Sequence, residues 1–187
     1  NKFTYEELRS KVSKFASALK NQGINKGDRV IIYMPMIPEA VIAMLACARI
    51  GAIHSVVFGG FASNELASRI DDSKAKLLVT ASCGFEPGRT VEYKPLVDEA
   101  IKQAKHKIEK MVLFQRTGNE VKLNSPNELS WDEVVSNAKE VDCVEMSSNE
   151  FAYILYTSGT TGTPKGIVRD IGGHIVALKW TMKNIYN

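Results

Sequence analysis

The sequence lacks the patterns that mark metal-binding, membrane-spanning and nucleic-acid-binding proteins. Its three cysteines, Cys47, Cys83 and Cys143, lie far apart, and neither they nor the three histidines have zinc-site spacing. No apolar run reaches the ~18 residues that a transmembrane helix requires, and no secretory signal opens the chain. The net charge of +3 is small and scattered, so it does not favour a nucleic-acid or membrane-surface partner. These absences favour a globular domain of the reduced cell interior.

Three short apolar runs recur in the first half of the chain, with helical signals between them. They contain the sequences VIIY, SVVF and LLVT and predict strands over 29–33, 53–58 and 76–81. Because these runs are continuous and do not alternate with polar residues, they are typical of parallel strands covered on both faces. Residues 1–81 are therefore predicted to form a βαβαβ unit of an α/β fold, with a doubly wound, mostly parallel sheet and helices on both faces.

Capping signals predict where the helices lie. A capping box, Thr4 with Glu7, predicts a helix over 5–22, and Pro38 opens another that ends near residue 50. Further helices are predicted over 63–72, 95–107, 130–138 and from 173 onward, the first capped by Ser63 and the third by the box of Ser130 with Glu133. Between them, 82–93 is predicted to be irregular, 111–115 and 120–123 to form a hairpin, 140–150 to be a surface connection, and 167–169 to be a short strand.

The most informative stretch is 151–166, with the sequence FAYILYTSGTTGTPKG. Its apolar start, 151–156, predicts a buried strand, and the rest supplies hydroxyls, glycines and one cation. Polyphosphates are bound by closely approached backbone N–H groups, hydroxyl donors and a positive charge, all of which this run provides. The spacing is not that of a P-loop, because Gly162 is followed by Thr-Pro-Lys. The predicted phosphate loop, 156–166, contains the candidate residues Thr157, Ser158, Gly159, Thr160, Thr161, Gly162, Lys165 and Gly166.

A flexible linker is the alternative interpretation of this stretch, but linkers rarely separate a strand from an apolar-periodic segment. A second candidate is the turn Glu86-Pro87-Gly88-Arg89, whose arginine could present its fork to a phosphate. Among the other polar residues, His54 is expected to be a hydrogen-bonded core histidine and His106 to be solvated on a helix. His174 is a weaker candidate for a place near bound phosphate, and Asp71 and Asp72 are expected to form a solvated helix face.

The run YTSGTTGTPKG resembles the signature loop of adenylate-forming enzymes, which include acyl-CoA synthetases, luciferases and peptide-synthetase adenylation domains. Residues 28–61, DRVIIYMPMIPEAVIAMLACARIGAIHSVVFGGF, more specifically resemble the short-chain acyl-CoA synthetases that act on acetate and propionate. The resemblance extends over about residues 3–187. Within that group, VRDIGG at 168–173 is similar to the propionyl-type branch, since acetyl-type enzymes commonly have His-Thr where this chain has Arg169-Asp170.

The resemblance implies a ligase that activates propionate or acetate with ATP to acyl-AMP and then transfers the acyl group to coenzyme A. It implies that the loop from Thr157 to Gly166 holds the β- and γ-phosphates with Mg²⁺, and that Lys165 is the catalytic residue that neutralises phosphate charge. Metal ligands are left open. It further implies that Glu86, Pro87, Gly88 and Arg89 lie against the nucleotide end of coenzyme A. Many relatives have two arginines there, whereas this chain has Glu86 in place of one.

Members of this family are several times longer, so the resemblance implies that residues 1–187 are part of an N-terminal AMP-binding domain that is inactive alone. The adenine pocket, the acyl pocket and the C-terminal catalytic lysine are then expected beyond this chain. The implied partners are small-molecule substrates and the rest of the parent chain, in the cytoplasm or the mitochondrial matrix. Two alternatives remain: an adenylation domain for another acyl or aminoacyl substrate, which 28–61 argues against, and a non-catalytic interaction module.

Overall fold

The computed structural model describes residues 2–157 and 164–186. Its helices are α1 Tyr5–Asn21, α2 Pro38–Arg49, α3 Ser63–Ser73, α4 Tyr93–Gln103, α5 Trp131–Ser136 and α6 Ile171–Thr181, the last continued by a π-helical segment, Met182–Tyr186. Its strands are β1 Arg29–Met34, β2 Ile53–Phe58, β3 Leu77–Ala81, β4 Cys83–Glu86, β5 Arg89–Glu92, β6 Lys110–Phe114, β7 Glu128–Ser130, β8 Phe151–Thr157 and β9 Lys165–Asp170.

Seven strands form one sheet in the order β7-β6-β3-β1-β2-β8-β9. Every neighbouring pair is parallel except β8 with β9, which is antiparallel. The chain runs from β1 to β2 on one side and returns to β3 on the other. Helix α1 packs against α2 and α5, while α3 packs against α4, so the helices form two groups as a doubly wound sheet requires. The predicted fold class is confirmed.

The core lies between the central strands and the first helices. The side chains of β1 from Val30 to Met34 are all buried, as are those of β3, because each strand has helices over both faces. Helix α1 begins with the predicted capping box, in which the Glu7 N–H donates to Thr4 Oγ1 at 3.2 Å. Its buried stripe includes Phe15, whose ring stacks on that of Trp131 with 3.7 Å between centroids.

The segment 82–93, predicted to be irregular, is instead a two-stranded antiparallel hairpin of β4 and β5. Glu86 pairs with Arg89, so only Pro87 and Gly88 form the loop. Gly88 has φ of +78°, a conformation that glycine adopts without strain. A proline followed by a glycine with positive φ fits a type II turn, which explains why this short polar stretch closes a hairpin.

The cap predicted at Ser63, the capping box predicted at Ser130 and the strand predicted over 120–123 are wrong, although Ser130 does occupy the N-cap position of α5. Ser63 is the first residue of α3 and not its cap, and Ser130 precedes α5 without a side-chain capping bond. The fourth helix starts at Tyr93, ahead of Pro95, because proline is tolerated within a first turn, where no intrahelical N–H partner is needed. Residues 120–123 form no strand; the Gln115 side chain binds the N–H and C=O of Val121 at 3.0 and 2.7 Å instead.

Strand β8 has the predicted position but not the predicted burial. Only Ala152 is buried along it, while the side chains of Phe151 and Leu155 are 53% and 48% exposed. The reason is that β8 and β9 form the edge of the sheet and α6, the next helix, buries none of its own side chains. The connection 140–150 has neither helix nor strand, as predicted, and is held to α1 by hydrogen bonds between Ser13 and Val141.

Candidate functional site

The described candidate residues lie in the β4–β5 hairpin and at the paired ends of β8 and β9, beyond or at the carboxyl ends of parallel strands. Strand β2 ends at Phe58, β3 at Ala81 and β8 at Thr157, and because the three strands are parallel their following loops leave the same edge. Ligands of open α/β sheets bind in the crevice outside this edge. The fold therefore places the Gly59–Gly60 turn, the β4–β5 hairpin and Thr157, which precedes the predicted phosphate loop, on one side of the domain.

The predicted phosphate loop connects two antiparallel strands. Thr157, the last residue of β8, pairs with Lys165, the first residue of β9, and Gly166 pairs with Tyr156. Thr157, Lys165 and Gly166 are all exposed. A P-loop, in contrast, leads from a strand into a helix. Five of the candidate residues lie outside the described part of the chain: Ser158, Gly159, Thr160, Thr161 and Gly162.

Tyr156 connects the end of β8 to helix α3. Its hydroxyl donates a hydrogen bond to Asp72 Oδ2 at 2.7 Å. Partial burial, and then the Asp72 carboxylate, raise the pKa of Tyr156 well above its ordinary value, so the phenol stays protonated. Asp72 is exposed, as predicted, but it also accepts this bond from Tyr156, and Asp71 is half-buried and accepts a bond from the His106 N–H at 2.7 Å. The contact between Tyr156 and Asp72 was not foreseen from the sequence.

The turn after β2 is held against the β4–β5 hairpin. The Tyr33 hydroxyl donates to the carbonyl oxygen of Phe61 at 2.7 Å, which fixes the turn, and burial raises the pKa of Tyr33 to about 12. The Tyr93 hydroxyl lies between Gly59 and Gly84, and a Cβ at Gly84 would be 2.8 Å from it. Only glycine allows this close approach at both positions. The two loops are thereby brought together beside the sheet edge.

Arg89 lies at the tip of the β4–β5 hairpin with 71% of its side chain exposed. Its Nη2 and Nε atoms lie 2.6 and 2.7 Å from Glu86 Oε2. The guanidinium fork that was predicted to meet a phosphate is thus bound by the neighbouring carboxylate. Both groups remain accessible to solvent, so an incoming phosphate would compete with Glu86 for Arg89.

The histidines differ from their predicted roles. His54 is buried, but its Nδ1 has no hydrogen-bond partner among residues 2–157 and 164–186, so the expectation of a hydrogen-bonded core histidine is wrong. Its ring stacks on Tyr153, whose hydroxyl lies 3.3 Å from Nδ1 of His174. These three side chains line an apolar cavity of about 550 Å³ beside β8. His106 follows α4 and its Nε2 lies 3.0 Å from the Ala75 carbonyl oxygen, so it is not a solvated helix residue.

Acid is expected to destabilise the fold through His54. Burial, and then repulsion from His174, lower the pKa of His54 from 6.5 to about 4. Between these values the unfolded chain binds a proton that the folded chain does not, so stability is full above pH 6.5 and falls as the pH drops. The loss should reach about 3 kcal/mol near pH 4. The free energy of unfolding, measured with urea across this pH range, should depend less steeply on pH in His54→Gln than in wild type. An identical pH dependence for both proteins would contradict this assignment.

Within residues 2–157 and 164–186, no three His, Cys, Asp or Glu side chains come together in a way that could hold a metal ion. None of the helices in the same part of the chain combines the length and hydropathy needed to cross a bilayer.

Comparison with known proteins adds to this geometry. A family model described as AMP-binding enzyme matches residues 1–186. Acyl-CoA synthetase short-chain family member 3, mitochondrial, of Homo sapiens is 57% identical over 98% of this chain, which covers 27% of that protein. Acetyl-coenzyme A synthetase of Shewanella frigidimarina is 45% identical over all of this chain and 29% of its own length. The solved structure of acetoacetyl-CoA synthetase from Streptomyces lividans superposes with a TM-score of 0.86 at 27% identity, over 96% of this chain and 27% of that one.

Proposed function

We propose, because the chain belongs to the AMP-binding enzyme family, that its parent protein is an AMP-forming acid–thiol ligase for a short-chain carboxylate. The observation that carries this proposal is the glycine- and hydroxyl-rich sequence between Thr157 and Lys165, two residues that pair where β8 ends and β9 begins. The similar proteins support the reaction class, since each is named a synthetase of acyl-, acetyl- or acetoacetyl-coenzyme A.

In the first proposed step, a carboxylate oxygen of the substrate attacks the α-phosphorus of ATP. The bond between the α-phosphorus and the bridging oxygen to the β-phosphate breaks, which gives acyl-AMP and releases pyrophosphate. The leaving group gains negative charge, so a fixed cation at the loop stabilises the transition state. We assign this role to Lys165. Hydroxyl contacts are assigned to Thr157, Ser158, Thr160 and Thr161, and close backbone approach is assigned to Gly159, Gly162 and Gly166.

In the second step, the sulfur of coenzyme A attacks the acyl carbon, the bond from that carbon to the AMP oxygen breaks, and the thiol proton is released. We propose that Arg89 contacts a phosphate at the nucleotide end of coenzyme A, supported by its exposed position at the hairpin tip next to Pro87 and Gly88. Glu86 limits this contact, because it already binds the guanidinium.

Arg89→Ala in the parent enzyme is expected to raise the KM for coenzyme A by about fivefold, the effect of one exposed charged contact, and to leave the KM for ATP unchanged. Glu86→Gln is the matched test of opposite sign: it removes the competing carboxylate, so the KM for coenzyme A should fall. Initial rates measured with each substrate varied in turn would check both. An equal rise for ATP and coenzyme A in Arg89→Ala would indicate that the residue merely stabilises the turn.

We propose that Mg²⁺ enters as part of the ATP substrate. Magnesium in nucleotide sites is held largely by substrate phosphates and water. The hydroxyl of Thr157, the last residue of β8, is an oxygen ligand of the kind that Mg²⁺ accepts. For location we propose a reducing compartment, the cytoplasm or the mitochondrial matrix, where the thiols of Cys47, Cys83 and Cys143 would persist.

The chain spans 27% of the length of the mammalian relative and of the solved structure it matches. We propose that these 187 residues have no ligase activity alone. Large apolar side chains support this, because they are exposed where a complete domain would cover them. The exposed residues are Val41 and Leu45 on α2 and Ile175, Val176, Leu178 and Trp180 on α6.

The proposal is tested with the full-length parent and the 187-residue chain side by side. Carboxylate-dependent exchange of pyrophosphate into ATP, followed by coenzyme A consumption, should occur only in the parent, with propionate preferred to acetate on the basis of the VRDIGG sequence at 168–173. Exchange that depended only on amino acids would instead identify an adenylation domain for other substrates. No exchange with any carboxylate would leave a non-catalytic module as the better description.

A further inference from the structure

The β8–β9 hairpin, whose paired ends Thr157 and Lys165 flank the predicted phosphate loop, has little registered backbone pairing with the rest of the sheet. Among the described residues, the register of β8 with β2 consists of the single pair His54 with Tyr153. Strand β9 ends the sheet, with β8 as its neighbour. Thr157 lies four residues beyond the registered pair, so backbone pairing to β2 does not by itself fix the position of Thr157 and Lys165.

A side-chain contact supplies the missing restraint. Tyr156 lies next to Thr157 and its hydroxyl donates to Asp72 on α3 at 2.7 Å. The carboxyl end of α3 is itself fixed, because Arg29 of β1 donates to the carbonyl oxygens of Ser73 and Lys74 at 2.9 and 3.0 Å. Tyr156 therefore joins the loop-bearing hairpin to a point held by the central sheet.

Arg69, one turn before Asp72 on α3, gives this contact a second component. Its guanidinium carbon lies 5.3 Å from the Tyr156 ring centroid and 4.7 Å from that of Phe61. The guanidinium is oriented by Glu65, at 2.8 Å, and only 6% of the Arg69 side chain is exposed. A desolvated cation over an aromatic face is attracted by the ring. Arg69 thus aligns the ring of Tyr156 with the turn that follows β2.

Gly166 leaves the space that this arrangement needs. It pairs with Tyr156 across the hairpin, and a Cβ at Gly166 would lie 3.1 Å from Tyr156 Cε1 and 3.3 Å from Asp72 Oδ2. Most side-chain substitutions here would push the tyrosine ring or the carboxylate aside. The glycine that ends the loop sequence therefore has a second use, as the gap through which Tyr156 reaches Asp72.

We propose that Tyr156 is a positioning residue, which Asp72 and Arg69 hold on α3 so that Thr157 and Lys165 are set for transfer of the adenylyl group. It acts through its neighbours and need not touch the nucleotide. The inference rests on the proposed ligase function, because the step it serves is adenylation. Misplacement of a reacting contact by about 1 Å can cost up to 10²-fold in rate, so a hydrogen bond that prevents such movement has a measurable effect.

The test uses the full-length parent with Tyr156→Phe, which removes one hydroxyl, and Asp72→Ala, which removes its acceptor from an exposed helix position. Each is expected to lower the rate of pyrophosphate exchange by about tenfold through kcat, with the KM for the carboxylate unchanged. The double variant should be no slower than either single one, because both remove the same bond. Asp72→Asn should restore most of the rate, since its amide oxygen still accepts from the phenol.

Two readouts separate positioning from a general loss of structure. Thioester formation from supplied acyl-adenylate should stay at the wild-type rate, because that step does not involve the departing pyrophosphate. Tyr153→Phe is the matched control: it removes a hydroxyl from the same strand without touching α3, and it should keep the wild-type exchange rate.

The outcomes distinguish failure of the proposed ligase function from failure of the positioning role of Tyr156. If wild-type parent shows no carboxylate-dependent exchange, the proposed function fails. If it does, and Tyr156→Phe and Asp72→Ala both match wild type, the function stands and the positioning role is wrong. Equal losses in exchange and in thioester formation, or an additive double variant, would likewise overturn the positioning role and leave Tyr156 as a packing residue.

Discussion

Lys165→Ala in the full-length enzyme is expected to slow acyl-adenylate formation by about 10²-fold, which corresponds to about 3 kcal/mol of transition-state stabilisation. Lys165 is the first residue of β9 and pairs with Thr157 across the hairpin. Its charge is therefore expected to meet the departing phosphates. Thioester formation from supplied acyl-adenylate should fall much less, because pyrophosphate has already left at that stage.

Pyrophosphate exchange measured at saturating ATP would check this result. Lys20→Ala is the control, since Lys20 is an exposed lysine in the last turn of α1, outside the proposed site. Lys165→Arg should retain part of the rate, because it keeps the charge but changes the geometry of the contact. Exchange by Lys165→Ala within threefold of wild type would remove Lys165 from the proposed mechanism.

Phe15→Ala is expected to lower the free energy of unfolding by about 3–5 kcal/mol, a large loss for a single substitution. Phe15 is fully buried on α1 and stacks on Trp131 of α5, so its loss leaves a cavity between two helices. Typical domains are stable by only about 5–15 kcal/mol, so this one change removes a large part of the margin.

Urea unfolding followed by tryptophan fluorescence would measure this loss. Trp131 is buried whereas Trp180 is 61% exposed, so the spectral shift reports mainly on the Phe15 contact. Tyr5→Ala is the matched control on the same helix, because the Tyr5 side chain is 94% exposed, and it should change stability by less than about 0.5 kcal/mol. Similar losses for both variants would show that α1 is not packed as described.

The central strands could be predicted closely from the sequence because each is a continuous apolar run, which is a local pattern. The strands predicted over 29–33, 53–58 and 76–81 match β1, β2 and β3 to within one residue. Continuous apolar runs have few alternatives when helices cover both faces. The α1 capping box was equally local, since Thr4 and Glu7 satisfy one another without help from the rest of the fold.

Features that depend on distant or competing contacts could not be predicted in the same way. Serine is a favoured N-cap residue, so the sequence predicts that Ser63 caps α3, yet Ala62 occupies the N-cap position. The burial of β8 was overestimated because a sequence pattern does not show whether a neighbouring element covers the strand.

The site shows the same contrast between local sequence patterns and contacts between distant residues. The predicted phosphate loop is a contiguous run, so the sequence alone is enough to propose it; the structure pairs the flanking residues Thr157 and Lys165, and the role of the loop stays a prediction. The contact of Tyr156 with Asp72 joins residues 84 positions apart, and no local pattern indicates it. The pairing of Glu86 with Arg89 was hidden for a different reason, since it depends on a hairpin that the polar sequence of this segment did not reveal.

The central claim is that this chain supplies the phosphate-binding part of an enzyme that joins a short-chain carboxylate to AMP. The most direct measurement supplies the full-length parent with ¹⁸O-labelled propionate, ATP and coenzyme A and determines the isotope content of the products by mass spectrometry. Attack of the carboxylate on the α-phosphorus predicts one ¹⁸O atom in each AMP, with the other kept in propionyl-coenzyme A. Unlabelled AMP, or ¹⁸O recovered in inorganic phosphate with ADP as the nucleotide product, would contradict the claim.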